Sequence, residues 1–187
     1  MDEMIGSGEL IVPKAGPKPT RTISTENLAM IFESIERIEG WTGSMCRGMC
    51  AMYFASGLRP SELRLAEYND LDLKKEKIFV SNPKGKSNWA TKVWVDFIRQ
   101  DMLPLMRYDK ERAECLRENG FREAKYLFPN LHWHTGHYSE NSFRKVARHI
   151  SAEAGVDFSL KMFLATLCNL TVNGDLSRLP AMSVQTR

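Results

Sequence analysis

Apolar residues recur at helical spacing through most of the chain. Leu28, Ile31, Phe32, Ile35 and Ile38 form one stripe behind Ser24-Thr25, which reads as a helix N-cap with Glu26 just after it. A second helix is expected from Thr42 to Ala55, with Met45, Met49, Met52 and Tyr53 facing inward. Methionine and aromatic stripes at this spacing are far more often core than cofactor site. Gly57 should end that helix in a left-handed conformation, and Pro60 suits the first turn of a third, where its missing N–H is no loss.

The period then changes. Lys77-Ile78-Phe79-Val80 and Lys92-Val93-Trp94-Val95 are short β-favouring runs, and the intervening SNPKGKSNWAT is rich in turn formers, so a β-hairpin is expected. Helical patterning resumes from Asp96 and runs through DKERAECLREN to Gly120. Ser139 is placed to cap a helix that buries Phe143, Val146, Ala147 and Ile150 and ends at Gly155. Ser159 is placed to cap another, with Phe163, Leu164, Leu167 and Leu170, ending at Gly174; a last helix is expected from near Ser177. The fold class predicted is α+β, mainly α-helical with one small antiparallel sheet.

Residues 1–22 hold Gly6, Gly8, Pro13, Gly16, Pro17 and Pro19 among basic side chains, the composition of a linker or arm; residues 23–187 are expected to form one domain. Hydrophobic residues at 43% and charged residues at 26% fit a soluble globular protein with a real core. The N-terminal MDEMIGSGELIVPKAGPKP has early acids and no apolar segment leading to a cleavage site. No stretch reaches the length of a membrane span, so a cytoplasmic protein is expected. The net charge of +3 permits nucleic-acid binding without requiring it. Cys46, Cys50, Cys115 and Cys168 match neither a disulfide framework nor a paired zinc motif and read as buried, reduced thiols. His132, His134 and His137 in HWHTGH have a spacing that metals use, but no nearby carboxylate or cysteine completes a set, and no metal is expected.

The segment with the most chemistry is SGLRPSELRLAEYNDLDL, Ser56 to Leu73. It puts Arg59 at a helix start, where a guanidinium and free backbone N–H groups can address one anion; the same spacing lets Arg59 pair with Glu62 instead. Gly-Leu-Arg-x-Ser-Glu-Leu, followed by Asp-Leu-Asp-Leu entering a hairpin, closely resembles box I of the tyrosine recombinases, the phage integrase family. The YLFP segment, the SENSFRK helix and AGVDFS follow in the family's order. The resemblance implies the DNA breaking-rejoining catalytic-domain fold over roughly residues 23–187, without the family's separate core-binding domain unless the first twenty-odd residues are its trailing linker.

It also implies site residues. Arg59 is the first catalytic arginine, and Lys84, in the hairpin turn, is the catalytic lysine. Lys86 is a DNA-backbone contact. In DFSLKMFLATLCNL, Lys161 takes the His/Lys position of box II, and Leu164 stands where the second catalytic arginine belongs. A register three residues earlier puts Phe158 and Lys161 at those positions, again without an arginine. Arg59, Lys84, Lys86 and Lys161 are expected to line one concave basic face, with Arg144, Lys145 and Arg148 at its rim. The family's third-box His should follow Val184-Gln185 and its nucleophilic tyrosine lies further on, both past Arg187. None of the tyrosines at 53, 68, 108, 126 and 138 sits at the nucleophile's place, and Tyr138 reads as a helix-flanking or surface residue.

The implied function is that of a DNA-binding catalytic domain of a site-specific recombinase, inactive as this chain; the alternative is an integrase remnant that only binds DNA or competes for it. The implied partners are duplex DNA and other recombinase protomers. No cofactor, membrane or small-molecule substrate is implied.

Overall fold

Ser24 caps the first helix: its hydroxyl accepts the Asn27 N–H at 3.2 Å, and α1 follows over Thr25–Arg37 with Leu28, Ile31, Phe32 and Ile35 buried. The computed structural model describes residues 21–83, 91–98, 102–133 and 136–174. The expected linker before residue 21, Lys84, Lys86 and the helix expected near Ser177 lie outside these residues.

Helix α2, Gly40–Ser56, carries the predicted methionine stripe, but burial does not stop at a stripe. Every residue from Gly43 to Ser56 is buried. The reason is tertiary: α2 packs against α1, against α3 (Pro60–Arg64), against α4 (Leu103–Glu118) and against α6 (Leu160–Val172). A helix enclosed on all sides needs no polar face. Small residues let its neighbours close in; a Cβ on Gly48 would stand 2.4 Å from the Tyr108 ring. Gly57 ends α2 at φ 62°, as predicted.

A 3-10 turn at Tyr68–Asp70 leads into β1 (Leu71–Asp72), which pairs antiparallel with β2 (Lys77–Val80). Strand β2 pairs in turn with β3 (Val93–Asp96), with Ile78 opposite Val95 and Phe79 opposite Trp94. The expected hairpin is therefore present, widened to three strands by the Asp-Leu-Asp-Leu segment.

The helix expected from Asp96 begins later, at Leu103. Asp96 still pairs with Lys77 in the sheet, the Phe97 N–H goes to the Glu76 carbonyl at 2.8 Å, and the Ile98 N–H goes to the Ala55 carbonyl at 2.6 Å. These backbone donors are already committed, and Pro104 in the first turn of α4 disfavours helix before it. After α4, β4 (Pro129–Asn130) and β5 (Gly136–His137) form a second small ladder that periodicity does not reveal.

Ser139 caps α5, Glu140–Ala154, accepting the Ser142 N–H at 3.1 Å, and Gly155 ends it at φ 64°. Ser159 precedes α6 in extended conformation, but its side chain makes no capping bond; its carbonyl takes the Met162 N–H at 2.8 Å instead. Phe163 of α6 is the hub of the aromatic core. It stacks on Tyr53 at 6.1 Å and meets Phe54 and Phe158 edge-on at 5.1 and 4.9 Å. Cys46 and Cys50 are buried as expected, and burial pushes the Cys46 thiol up to about 12. Cys115 is only half-buried and Cys168 is exposed, because their helix positions turn away from the core.

Candidate nucleic-acid interface

Arg59 stands between Gly57, which ends α2, and Pro60, which begins α3. Of the two readings left open by spacing, the pairing with Glu62 is present. Glu62 Oε2 accepts the Arg59 backbone N–H at 2.9 Å, and Oε1 accepts from Nη1 at 3.1 Å. The carboxylate side chain is 8% exposed while the Arg59 side chain is 59% exposed. Glu62 thus holds the arginine from inside and leaves much of the guanidinium open to an external anion. The Pro-Ser-Glu spacing after Arg59 is the local signal for this clamp.

Helix α6 brings the second motif to the same turn. A Cβ built on Gly57 would lie 3.3 Å from Leu167 Cδ2 and 3.8 Å from both Leu164 Cδ1 and Ile98 Cδ1. Leu164 therefore packs beside the turn that carries Arg59, in a small apolar group with Ile98 and Leu167. Ile98 has no sequence signal for this place; its backbone bond to Ala55 brings it there. Lys161 is exposed on α6. Phe158 is 6% exposed and packed on Phe163, so a motif register starting at Phe158 would start in the core.

Arg144, Lys145 and Arg148 are exposed on α5, and Arg144 ion-pairs with Glu140 one turn earlier. Helix α3 packs against α5 and is tied to its start, the Arg64 Nη1 donating to the Tyr138 carbonyl at 2.8 Å. Lys84 and Lys86 lie outside the described residues.

Two other arginines, invisible as special in the sequence, are interior. Arg47 donates to the Ile38 carbonyl, to Ser44 and to Glu111. Arg112 donates to the carbonyls of Ala124, Tyr126 and Leu127 and lies 4.0 Å over the Tyr68 ring. Both cations are engaged in holding the fold.

Tyr53 and Tyr108 are buried. Tyr68 donates to Asp109 at 2.7 Å, and that bond, with burial and the Asp109 charge, raises its pKa. The Tyr138 hydroxyl accepts from Trp41 Nε1 at 3.4 Å, and the residue is half-buried, more enclosed than a surface position. Tyr126 lies 5.2 Å from the His137 ring. His132 and His137 are exposed, His134 lies outside the described residues, and among the described residues no three His, Cys, Asp or Glu side chains gather as a metal site would need. Among the described residues no helix is long and apolar enough to cross a membrane.

The sequence profile of the phage integrase family matches residues 21–169. The fold is similar to that of the XerH site-specific recombinase in a post-cleavage complex with palindromic difH substrate: TM-score 0.65 at 16% identity, covering 90% of this chain and 48% of that one. XerA recombinase matches with TM-score 0.61 at 12% identity, over 87% of this chain and 56% of that one. The lambda integrase catalytic core matches with TM-score 0.53 at 11% identity, over 87% of this chain and 95% of that one. The chain spans about half the length of the Xer recombinases it matches. No curated protein matches it by sequence.

Proposed function

Since the chain belongs to the phage integrase family and has its tyrosine-recombinase catalytic-domain fold, we propose that it grips duplex DNA at a phosphate through Arg59, Lys84 and Lys161, with Leu164 in place of a second arginine. The observation that supports this reading is the closeness of Leu164 to the turn before Arg59: a Cβ built on Gly57, two residues earlier, would lie 3.8 Å from Leu164 Cδ1. This closeness supports the reading in which Lys161 and Leu164 take the two box II positions.

The chemistry follows from charge. When a tyrosine oxygen attacks a DNA phosphodiester, a 3′-phosphotyrosyl bond forms and the 5′-oxygen leaves. Negative charge gathers on the non-bridging oxygens in between. A planar guanidinium such as Arg59 matches that geometry with two parallel N–H donors. Lys84 is assigned the proton that the leaving 5′-oxygen takes up, and Lys161 supports the phosphate oxygens. Lys86, Arg144, Lys145 and Arg148 are assigned to neighbouring backbone phosphates, which position a protein without specifying sequence. No step requires a metal.

Leu164 favours a second reading, in which the domain binds DNA or competes for it without cutting. It offers no donor to the transition state, and loss of one such donor costs about 10²–10³ in rate. A tyrosine supplied by another protomer would leave that deficit in place. Incubation with a suicide DNA substrate, alone and with a tyrosine-bearing C-terminal segment, distinguishes the readings. The expected result is binding that weakens steeply with salt and no covalent adduct. An adduct formed by the chain alone would overturn the claim of incompetence, and a flat salt response would overturn the DNA-binding reading itself.

A further inference from the structure

The backbone N–H of Ile23 donates to Thr166 Oγ1 at 2.8 Å, joining the start of the described chain to the middle of α6. Both residues are interior, Ile23 at 6% and Thr166 at 3% exposure, whereas residues 21 and 22 are exposed. Ile23 is thus the first buried residue of the described chain. The Thr166 hydroxyl uses its own hydrogen on the Met162 carbonyl at 2.7 Å, one turn back along α6. That bond orients its lone pairs outward, ready to accept from Ile23. Without it the Ile23 N–H would be buried and unpaired, which the chain avoids at almost every interior position.

The bond joins several elements. Met162 follows Lys161 directly, and Leu164 lies two residues before Thr166, so the hydroxyl holds the part of α6 that bears both. On the other side of Ile23, Ser24 caps α1, and α1 packs along α5, the helix of Arg144, Lys145 and Arg148. We propose that Thr166 is a positioning residue: by tying Ile23, just ahead of α1, to α6 it fixes the helix that presents Lys161, so that loss of its hydroxyl changes how Lys161 meets DNA. This rests on the reading of Lys161 as a phosphate contact, and the two fail differently.

The test is a double-mutant cycle read as the salt dependence of binding to a random-sequence DNA duplex. Lys161→Gln should lower the slope of log affinity against log salt by about 1, the loss of one phosphate contact. Thr166→Val, nearly isosteric but without the hydroxyl, should lower it by a similar amount, and Lys161→Gln should then add nothing. Thr166→Ser should restore the parent slope. Additive effects of Thr166→Val and Lys161→Gln would overturn this inference alone. No effect of Lys161→Gln in the unaltered protein would overturn both it and the reading beneath it. Hydrogen exchange on the unaltered chain needs no variant: DNA should slow the Ile23 amide and the amides of α6 together, and protection of α6 with Ile23 unchanged would overturn the coupling.

Discussion

Glu62 holds Arg59 at two points, by its backbone N–H and by its guanidinium, from a position almost closed to solvent. The pair is both a helix cap and a bracket for an exposed cation. Glu62→Ala should therefore lower stability by about 1–2 kcal/mol, the worth of a lost cap and a charged hydrogen bond. Arg59 would then be free to wander, and DNA affinity should fall although a negative charge has been removed. Urea denaturation and a binding isotherm check the two halves; tighter binding would mean that Glu62 only neutralises Arg59.

Leu164 beside Gly57 makes a second substitution informative. On the proposed reading, in which residue 164 stands beside the turn of Arg59, Leu164→Arg should add one phosphate contact and raise the salt slope of DNA binding by about 1. Withdrawing a half-buried leucine from Ile98 and Leu167 should cost about 1 kcal/mol. With a tyrosine-bearing segment added, a covalent DNA adduct is expected from this variant and not from the parent. An unchanged slope would show that residue 164 does not face the DNA.

A charged network ties three helices together. Arg107 bonds Glu36 of α1 and Glu111 of α4 at 2.8 Å each, and Arg47 of α2 bonds Glu111 at 3.0 Å. Burial pushes the Glu111 pKa up, but hydrogen bonds from Ser44, Arg47 and Arg107 outweigh it and hold the carboxyl below the ordinary 4.5. A depressed folded pKa contributes stability that is full above the unfolded value and is lost as pH falls through the folded one. Stability should therefore decline as pH drops below 4.5, and Glu111→Gln should flatten that limb while lowering the neutral plateau. Urea midpoints across the acid range would show it; an unaltered acid limb in the variant would remove Glu111 as its cause.

Tyr53 stacks on Phe163, and its buried hydroxyl has no hydrogen-bond partner among the described residues. Tyr53→Phe keeps the stacking and removes an unsatisfied group. Stability should rise by about 1 kcal/mol, seen as a higher denaturation midpoint. A marked loss would reveal a partner for the hydroxyl.

Much of this protein was legible in local chain physics. Ser24 and Ser139 were readable as caps and Gly57 and Gly155 as helix ends, because capping bonds and positive φ involve only neighbouring residues. The hairpin and the order of motifs were readable for the same reason. Asp96 to Ile98 has a helical pattern but is not helix, because its backbone partners, Lys77, Glu76 and Ala55, lie elsewhere in the chain.

The sequence by itself determined most of the helices, the β2–β3 hairpin, the family resemblance and the absence of an arginine at residue 164. Tertiary structure alone decided that α2 is enclosed on all sides and that Arg47 and Arg112 are interior. It also decided that Leu164 rests against the turn of Arg59 and that Thr166 holds Ile23. Such relations join residues far apart in the chain. They depend on which surfaces find each other in packing and which buried donors must be satisfied, and neither is written in a local period.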